Sequence, residues 1–339
     1  MNYKLLGYSG LRVSELCLGT MTFGEDWGWG SSKEDSKKVF DMYAEAGGNF
    51  IDTANLYTNG TSEEYVGDFI RADRGHFVLA TKYTLSMRDG DPNFSGNHRK
   101  NMVQSIEASL KRLGTDYIDL FWMHAWDRFT PVEEVMRAMD DLVRSGKVLY
   151  LGISDTPAWW TAGANMLADL RGWTQFVGQQ IEYSLIERTP ERDLLPMSDY
   201  YGLSTLAWGP LASGVLTGKY LDGDASKGRV KEGHSRLKGR NREIAQAVVD
   251  VSKEVDASPA QIALAWLVQA HESVIPILGA RTLEQLEDNL GCQEVELSAN
   301  HLDRLDQVSQ IDPGFPHSFL DNPPVRKRIY GGTFDQIDL

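Results

Sequence analysis

Eight short runs of apolar and β-branched residues recur along the chain, and a longer stretch with helical periodicity separates each from the next. The runs are LCLGT, NFIDT, FVLATK, YIDLFWMH, VLYLGIS, FVGQQIE, LSTLAWG and SVIPILG. Most are apolar throughout instead of alternating, which implies burial on both faces and therefore parallel pairing. Among the intervening stretches, KEDSKKVFDMYAEAG places Val39, Phe40, Tyr43 and Ala44 on one helical face. Ser31 and Glu34 have capping-box spacing there, and Gly47 and Gly48 end the helix. NHRKNMVQSIEASLKRLG aligns Met102, Ile106 and Leu110, with Gly114 as its C-cap. Eight βα units in 339 residues predict a (β/α)8 TIM barrel, with a doubly wound sheet as the alternative. The opening YKLLGYSGLRVSELCLG reads as an N-terminal β-hairpin preceding the barrel. No low-complexity linker interrupts the pattern, so residues 1–339 are read as one domain. Its widest break is a polar, Gly-rich insertion at residues 221–241, after the seventh strand. A C-terminal tail from Ile311, containing FPHSFLDNPPVRKRIYGG, is expected to lie over the active-site face.

Composition removes several function classes. A formal net charge of −14 repels phosphate backbones and anionic headgroups, so neither nucleic acid nor a membrane surface is expected as a partner. The N-terminus lacks a basic segment followed by an apolar run, and no stretch approaches the ~18 apolar residues of a spanning helix, so a cytoplasmic location is expected. Cys17 and Cys292 are too few for a disulfide framework, and no metal site is expected.

In a (β/α)8 barrel the chemistry sits at the C-terminal ends of the strands, so polar residues that end apolar runs are the informative ones. Four stand out: Asp52 ends the second run, Tyr57 follows in the same loop, Lys82 ends FVLATK and His124 ends YIDLFWMH. Singly, each has a structural explanation: a cap, a packed ring, a snorkelling amine, a satisfied core histidine. Together their chemistry is coherent. An ammonium beside Tyr57 stabilises the phenolate and lowers the phenol's pKa from about 10 towards the range of general acid catalysis. Asp52 neutralises and positions Lys82, and His124 can share a hydrogen bond with a carbonyl oxygen. Such a set suits protonation of an oxygen that becomes negative as hydride reaches its carbon.

At these residues the chain resembles the aldo-keto reductases, and the resemblance covers nearly all of it. The matching stretches are GNFIDTANLY, SLKRLGTDYIDLFWMH, GKVLYLGIS, QQIEYSL, WGPLASGVLTGKY and IPILGARTLEQLEDN. HAWDRFTP, TPAWW and IERTPERDLLPM are most similar to the aryl-alcohol dehydrogenase-like branch. The resemblance implies an NADPH-dependent barrel enzyme that reduces aldehydes and ketones reversibly, with Asp52, Tyr57, Lys82 and His124 as catalytic tetrad and Tyr57 as the acid. It also implies a cofactor site. Thr20 and Met21 would contribute to it, while Ser154, Asp155 and Gln180 would hold the nicotinamide carboxamide, although the family usually has Asn at the position of Asp155. Trp208 would stack on the nicotinamide, Gly209, Pro210 and Leu211 would contact the pyrophosphate, and Lys219 would pair with phosphate. Gly279 and Arg281, at the opening of the next helix, would receive a 2′-phosphate, favouring NADPH over NADH. Gln285 and Asn289 would meet the adenosine. For the substrate, Trp27, Trp29 and Trp126, with Trp159 and Trp160, could line an apolar mouth for aromatic or bulky carbonyl compounds or shield the rim, and Thr84 would enlarge or polarise one wall.

Two other readings differ in class. The β-subunits of voltage-gated potassium channels share the expected fold and bind NADPH as regulators, but typically lack the counterpart of His124. A barrel hydrolase would use Asp52 and Glu182 as paired carboxylates, which leaves Tyr57 and Lys82 without a purpose.

Overall fold

The computed structural model describes residues 1–222, 230 and 234–337. An antiparallel hairpin, β1 (Tyr3–Leu5) and β2 (Arg12–Ser14), comes first. Eight parallel strands follow: β3 (Cys17–Gly19), β4 (Phe50–Asp52), β5 (Val78–Tyr83), β6 (Ile118–Met123), β7 (Val148–Ser154), β8 (Phe176–Glu182), β9 (Ser204–Trp208) and β10 (Val274–Gly279). They pair in sequence order and β10 closes onto β3, giving a (β/α)8 barrel built from all eight expected runs. The helices outside it are α1 (Lys33–Glu45), α2 (Thr61–Ile70), α3 (Arg99–Leu113), α4 (Val132–Arg144), α5 (Ala158–Arg171), α6 (Leu194–Tyr201), α7 (Arg240–Glu254), α8 (Pro259–Ala270), α9 (Leu283–Leu290) and α10 (Ala299–Ser309). None of the described helices is long and apolar enough to cross a membrane.

Local signals set most boundaries. Helix α3 ends on Gly114 at φ 62, a left-handed conformation that favours glycine, and buries Met102 and Ile106 as its periodicity requires. Helix α1 buries Val39, Phe40 and Tyr43, but its cap differs from the Ser31/Glu34 expectation. Ser32 is the N-cap and accepts from the Asp35 N–H, because Ser31 is engaged elsewhere, donating its hydroxyl to the Arg281 carbonyl at 3.0 Å.

The hairpin plugs the N-terminal end of the barrel. Val13 in β2 and Leu6 just after β1 are fully buried in one cluster with Cys17, Phe50, Leu120, Trp122, Leu206 and Ile275 from the barrel interior. Lys4 Nζ donates to the carbonyls of Glu272 and Val274, and Gly7 N–H donates to Ser204 Oγ, all at strand starts. Trp122, the largest interior side chain, fits because its neighbours are glycines. A Cβ on Gly152 would fall 2.2 Å from its ring, and one on Gly178 would fall 3.3 Å away. With that end filled, the open end is the rim formed by the strands' C-termini.

After β9, residues 223–229 and 231–233 of the polar insertion lie outside the described residues. The tail carries two short helices, His317–Leu320 and Pro323–Ile329, and stays mostly exposed. It is tethered by Arg192 donating to the Asp312 carbonyl and by His317 lying 3.5 Å from Asp193, beside the loop after β8. No described tail residue lines the cavity described below.

The glycine that admits Trp122 yields a direct test. Gly152→Ala drives a methyl into a ring with no room to move, so it should destabilise the fold by about 1–3 kcal/mol, read as a lower urea midpoint at unchanged slope.

Candidate active site

The last residue of β4 and the fifth of β5 face each other across one pair of strands. Lys82 is fully buried and Asp52 is 2% exposed, and Lys82 Nζ donates to Asp52 Oδ2 at 2.5 Å. Its other two donors go to the Thr53 carbonyl at 2.9 Å and the Tyr57 hydroxyl at 3.0 Å. An ammonium has three N–H groups, and here each has an acceptor. Burial opposes the charge on Lys82, but Asp52 and then Tyr57 outweigh it and hold its pKa above the ordinary lysine value. Asp52 Oδ1 accepts from Gln180 Nε2 at 3.0 Å, which connects the pair to β8 across the barrel.

Tyr57 reaches this position because the chain after it is tightly folded. Thr58 and Asn59 both have positive φ, 46° and 57°, and Gly60 follows at 101°. For a β-branched residue this is a strained conformation, and Thr58 is held in it by hydrogen bonds. Its hydroxyl donates to the Phe23 carbonyl at 2.7 Å and accepts from the Ser62 N–H at 3.1 Å. The expectation that Lys82 brings the phenol towards neutrality needs correction. Burial raises the Tyr57 pKa, Lys82 opposes it, and the net direction is above the ordinary value of 10. The pair therefore rests as phenol and ammonium.

His124 stands one residue beyond β6, with its ring edge-on to Tyr57 at 6.0 Å between centroids. Burial, with the Lys82 charge in support, holds its pKa well below 6.5, so the imidazole is neutral. Its Nδ1 is buried and has no partner.

Tyr57, His124 and Asp52 open into a cavity of about 620 Å³ at the C-terminal rim. Of the residues singled out from sequence, Met21, Trp27, Ser154, Asp155, Gln180, Trp208, Gly209, Pro210, Leu211, Lys219, Gly279, Arg281, Gln285 and Asn289 also line it. The cavity is polar along β7 to β10. Ser154 Oγ is buried there without a partner. Asp155, at φ 42, accepts from Trp208 Nε1 at 3.1 Å; burial lifts its pKa, against that hydrogen bond and the Lys82 charge. The loop after β9 has positive φ at Gly209, Ala212, Ser213 and Gly214, a concave backbone within which the Ala212 and Gly214 N–H groups donate to the Gly209 and Leu211 carbonyls. A Cβ on Gly214 would fall 2.6 Å from Lys219 Nζ. At the far end, two amides at the opening of α9 have partners: the N–H of Arg281, just before the helix, donates to Gln285 Oε1, and the Gln285 N–H donates to Thr282 Oγ1. Anion binding at that end therefore depends more on the Arg281 side chain, which is exposed.

Thr20, Trp29, Lys82, Thr84, Trp126, Trp159 and Trp160 lie outside the cavity wall, Trp160 being buried in the hydrophobic core. Thr20 is fully buried behind it, its hydroxyl donating to the Asp52 carbonyl at 3.0 Å. Trp29 packs at a tilt against Trp27 with ring centroids 5.6 Å apart, and Trp126 stands edge-on to the exposed Trp159. Thr84 is 5% exposed, and its hydroxyl is bonded to Asn97 and to the His124 N–H, so it does not present that hydroxyl to the cavity. Conversely, Leu56, Leu85, Ser213 and Arg236 line the cavity without having been singled out. Arg236 lies within the insertion and donates to Glu182 and to Ser213 Oγ. Leu56 and Leu85 follow Asp52 and Lys82 by four and three residues; position after a strand end was the available signal. Glu182 is thus paired with Arg236 and Asp52 with Lys82, which removes the free carboxylates a hydrolase would need.

Comparison with known proteins agrees with this geometry. A model of the Aldo/keto reductase family matches residues 15–310. A norsolorinic acid reductase of Emericella nidulans is 41% identical over 96% of this chain and 87% of its own length. An aryl-alcohol dehydrogenase [NADP(+)] of Phanerodontia chrysosporium is 38% identical over 91% of this chain and 86% of its own. An aldo-keto reductase of Emericella nidulans, ausK, is 35% identical over 95% and 85%. With a barrel whose rim carries a buried Asp-Lys pair against a tyrosine, and a family match over most of its length, the chain belongs to the aldo/keto reductase family of oxidoreductases.

Proposed function

We propose that the protein reduces aromatic or bulky aldehydes and ketones to alcohols with NADPH, reversibly, with Tyr57 as proton donor. The single observation that carries this reading is the hydrogen bond from the buried Lys82 ammonium to the Tyr57 hydroxyl at the cavity floor. The cofactor fits the polar arm of the cavity. Ser154 Oγ, lacking a partner, can meet a carboxamide, and Gln180, with one amide N–H given to Asp52, retains its carbonyl and its second N–H for the same group. The concave loop at residues 209–214 with Lys219 suits a pyrophosphate, and Arg281 suits a 2′-phosphate. When bound, the reduced nicotinamide supplies hydride to the carbonyl carbon.

The chain's own residues manage the proton. Tyr57 keeps its proton at rest because burial disfavours the phenolate, so the donor is loaded before substrate arrives. As negative charge builds on the carbonyl oxygen, the phenolic proton moves to it, and the phenolate left behind lies 3.0 Å from an ammonium. Asp52 keeps that ammonium in place. The neutral His124 offers one N–H to the same oxygen without competing for the proton. Trp27, Leu56 and Leu85 give the Tyr57 side of the cavity an apolar wall, which suits an aromatic carbonyl compound. The names of the relatives, a norsolorinic acid reductase and an aryl-alcohol dehydrogenase, support the same class. His124 beside Tyr57 favours catalysis over a purely regulatory, NADPH-binding role.

The experiment is a carbonyl panel. Purified protein should oxidise NADPH with a simple aromatic aldehyde such as a nitrobenzaldehyde, and tight NADPH binding without turnover across the panel would favour the regulatory role. The cofactor assignment is separable. Arg281→Ala should weaken NADPH binding by on the order of 1.5–3 kcal/mol, roughly tenfold or more, while NADH binding changes little. Equal losses for both cofactors would contradict a contact between Arg281 and the 2′-phosphate.

A further inference from the structure

His124 poses a problem of orientation. A histidine that must aim one nitrogen is ordinarily fixed by a hydrogen bond from the other, yet its Nδ1 is buried without a partner. Whatever aims the ring must act through the backbone and packing. The backbone at this point has left the barrel ladder, because the β5–β6 register ends at the Tyr83–Met123 pair.

Beyond that pair a side-chain clasp continues the ladder. The His124 N–H is shared between the Tyr83 carbonyl and Thr84 Oγ1, each at 3.3 Å. Asn97 Nδ2 donates to Thr84 Oγ1 at 2.9 Å and to the Ala125 carbonyl at 2.8 Å, so it grips the chain on both sides of the His124 peptide unit. Asn97 also exchanges reciprocal 2.7 Å bonds with Asp127: its Oδ1 accepts from the Asp127 N–H, and its own N–H donates to Asp127 Oδ2. Asn97 is 1% exposed, so these bonds are shielded from water. Thr84 itself holds φ 100, a region that β-branched residues avoid. A strained threonine persists only where its surroundings determine it, and such residues gather where geometry serves function.

We propose that Thr84 and Asn97 are positioning residues for His124, forming a clasp that extends the β5–β6 ladder and aims an imidazole that has no hydrogen-bonded partner of its own. The clasp ties the loop after β5 to the loop after β6, and its turn at Thr84 also delivers Leu85 to the cavity wall. It rests on the reading of His124 as the group that meets the carbonyl oxygen.

The test is a double-mutant cycle read in kcat for an aromatic aldehyde, with NADPH affinity and near-ultraviolet circular dichroism as controls. Thr84→Val keeps the shape and removes the acceptor; it should lower kcat roughly 10- to 100-fold, with NADPH affinity unchanged. Thr84→Ser, which restores the oxygen, should recover most of that loss. In a His124→Gln background, Thr84→Val should cost little more, because the group it aims is gone. Asn97→Ser, which removes the bridging amide, provides the same cycle should Thr84→Val fail to fold. A full and equal loss in both backgrounds, or no loss in wild type, overturns the clasp while leaving the role of His124 intact. Normal turnover by His124→Gln alone overturns the reading beneath it.

Discussion

An ammonium group buried at the bottom of a cavity holds this rim together. Taking such a charge out of water costs on the order of 20 kcal/mol in the idealised limit, and several kcal/mol in real proteins, unless acceptors surround it. Lys82 has three: a carboxylate from the end of β4, the carbonyl of the next residue and the hydroxyl of Tyr57. Meeting that demand fixes the register of β4 against β5, the direction in which the chain leaves β4 and the place to which Tyr57 must return. Through Gln180 it also fixes the opposite side of the barrel. Removing the Asp52 carboxylate would leave the buried charge uncompensated, a loss of about 3–5 kcal/mol. The group that would tune the proposed proton donor is therefore also a structural fastener.

The two sides of the cavity are built differently. Along β7 to β10 it is formed by strand ends and the loops after them, with polar atoms and concave backbone suited to a long anionic cofactor. On the Tyr57 side it is walled by residues from the loops after β3, β4 and β5, held by side-chain bonds such as those of Thr58 and Asn97. Non-glycine residues with positive φ gather at this rim: Thr58, Asn59, Thr84, Asp155, Ala212 and Ser213. The barrel wall carries the stability that allows these strained turns to persist.

Much of this was legible in the sequence because it rests on periodicity and strand ends. Continuous apolar runs gave eight parallel strands, and polar residues ending them gave Asp52, Lys82 and His124. The unread parts have physical reasons. The third acceptor of Lys82 is the Thr53 carbonyl, a backbone group that any residue would supply. Thr84 reads in sequence as a small polar wall, but a positive φ and a bond to Asn97, thirteen residues away, turn it inward. The cap of α1 moved by one residue because Ser31 bonds to the Arg281 carbonyl, a contact that exists only after the barrel closes. The direction of the Tyr57 pKa also depends on burial, which competes with a charge effect visible from residue types alone.

The central claim is that Tyr57 delivers the proton and that Lys82 accommodates the phenolate it leaves. It is tested most directly by single-turnover oxidation of bound NADPH with an aromatic aldehyde, comparing wild type with Tyr57→Phe. The variant keeps the ring and loses the proton, so NADPH binding should be unchanged and the single-turnover rate should fall about 10²–10⁴-fold. A rate equal to wild type would contradict the account.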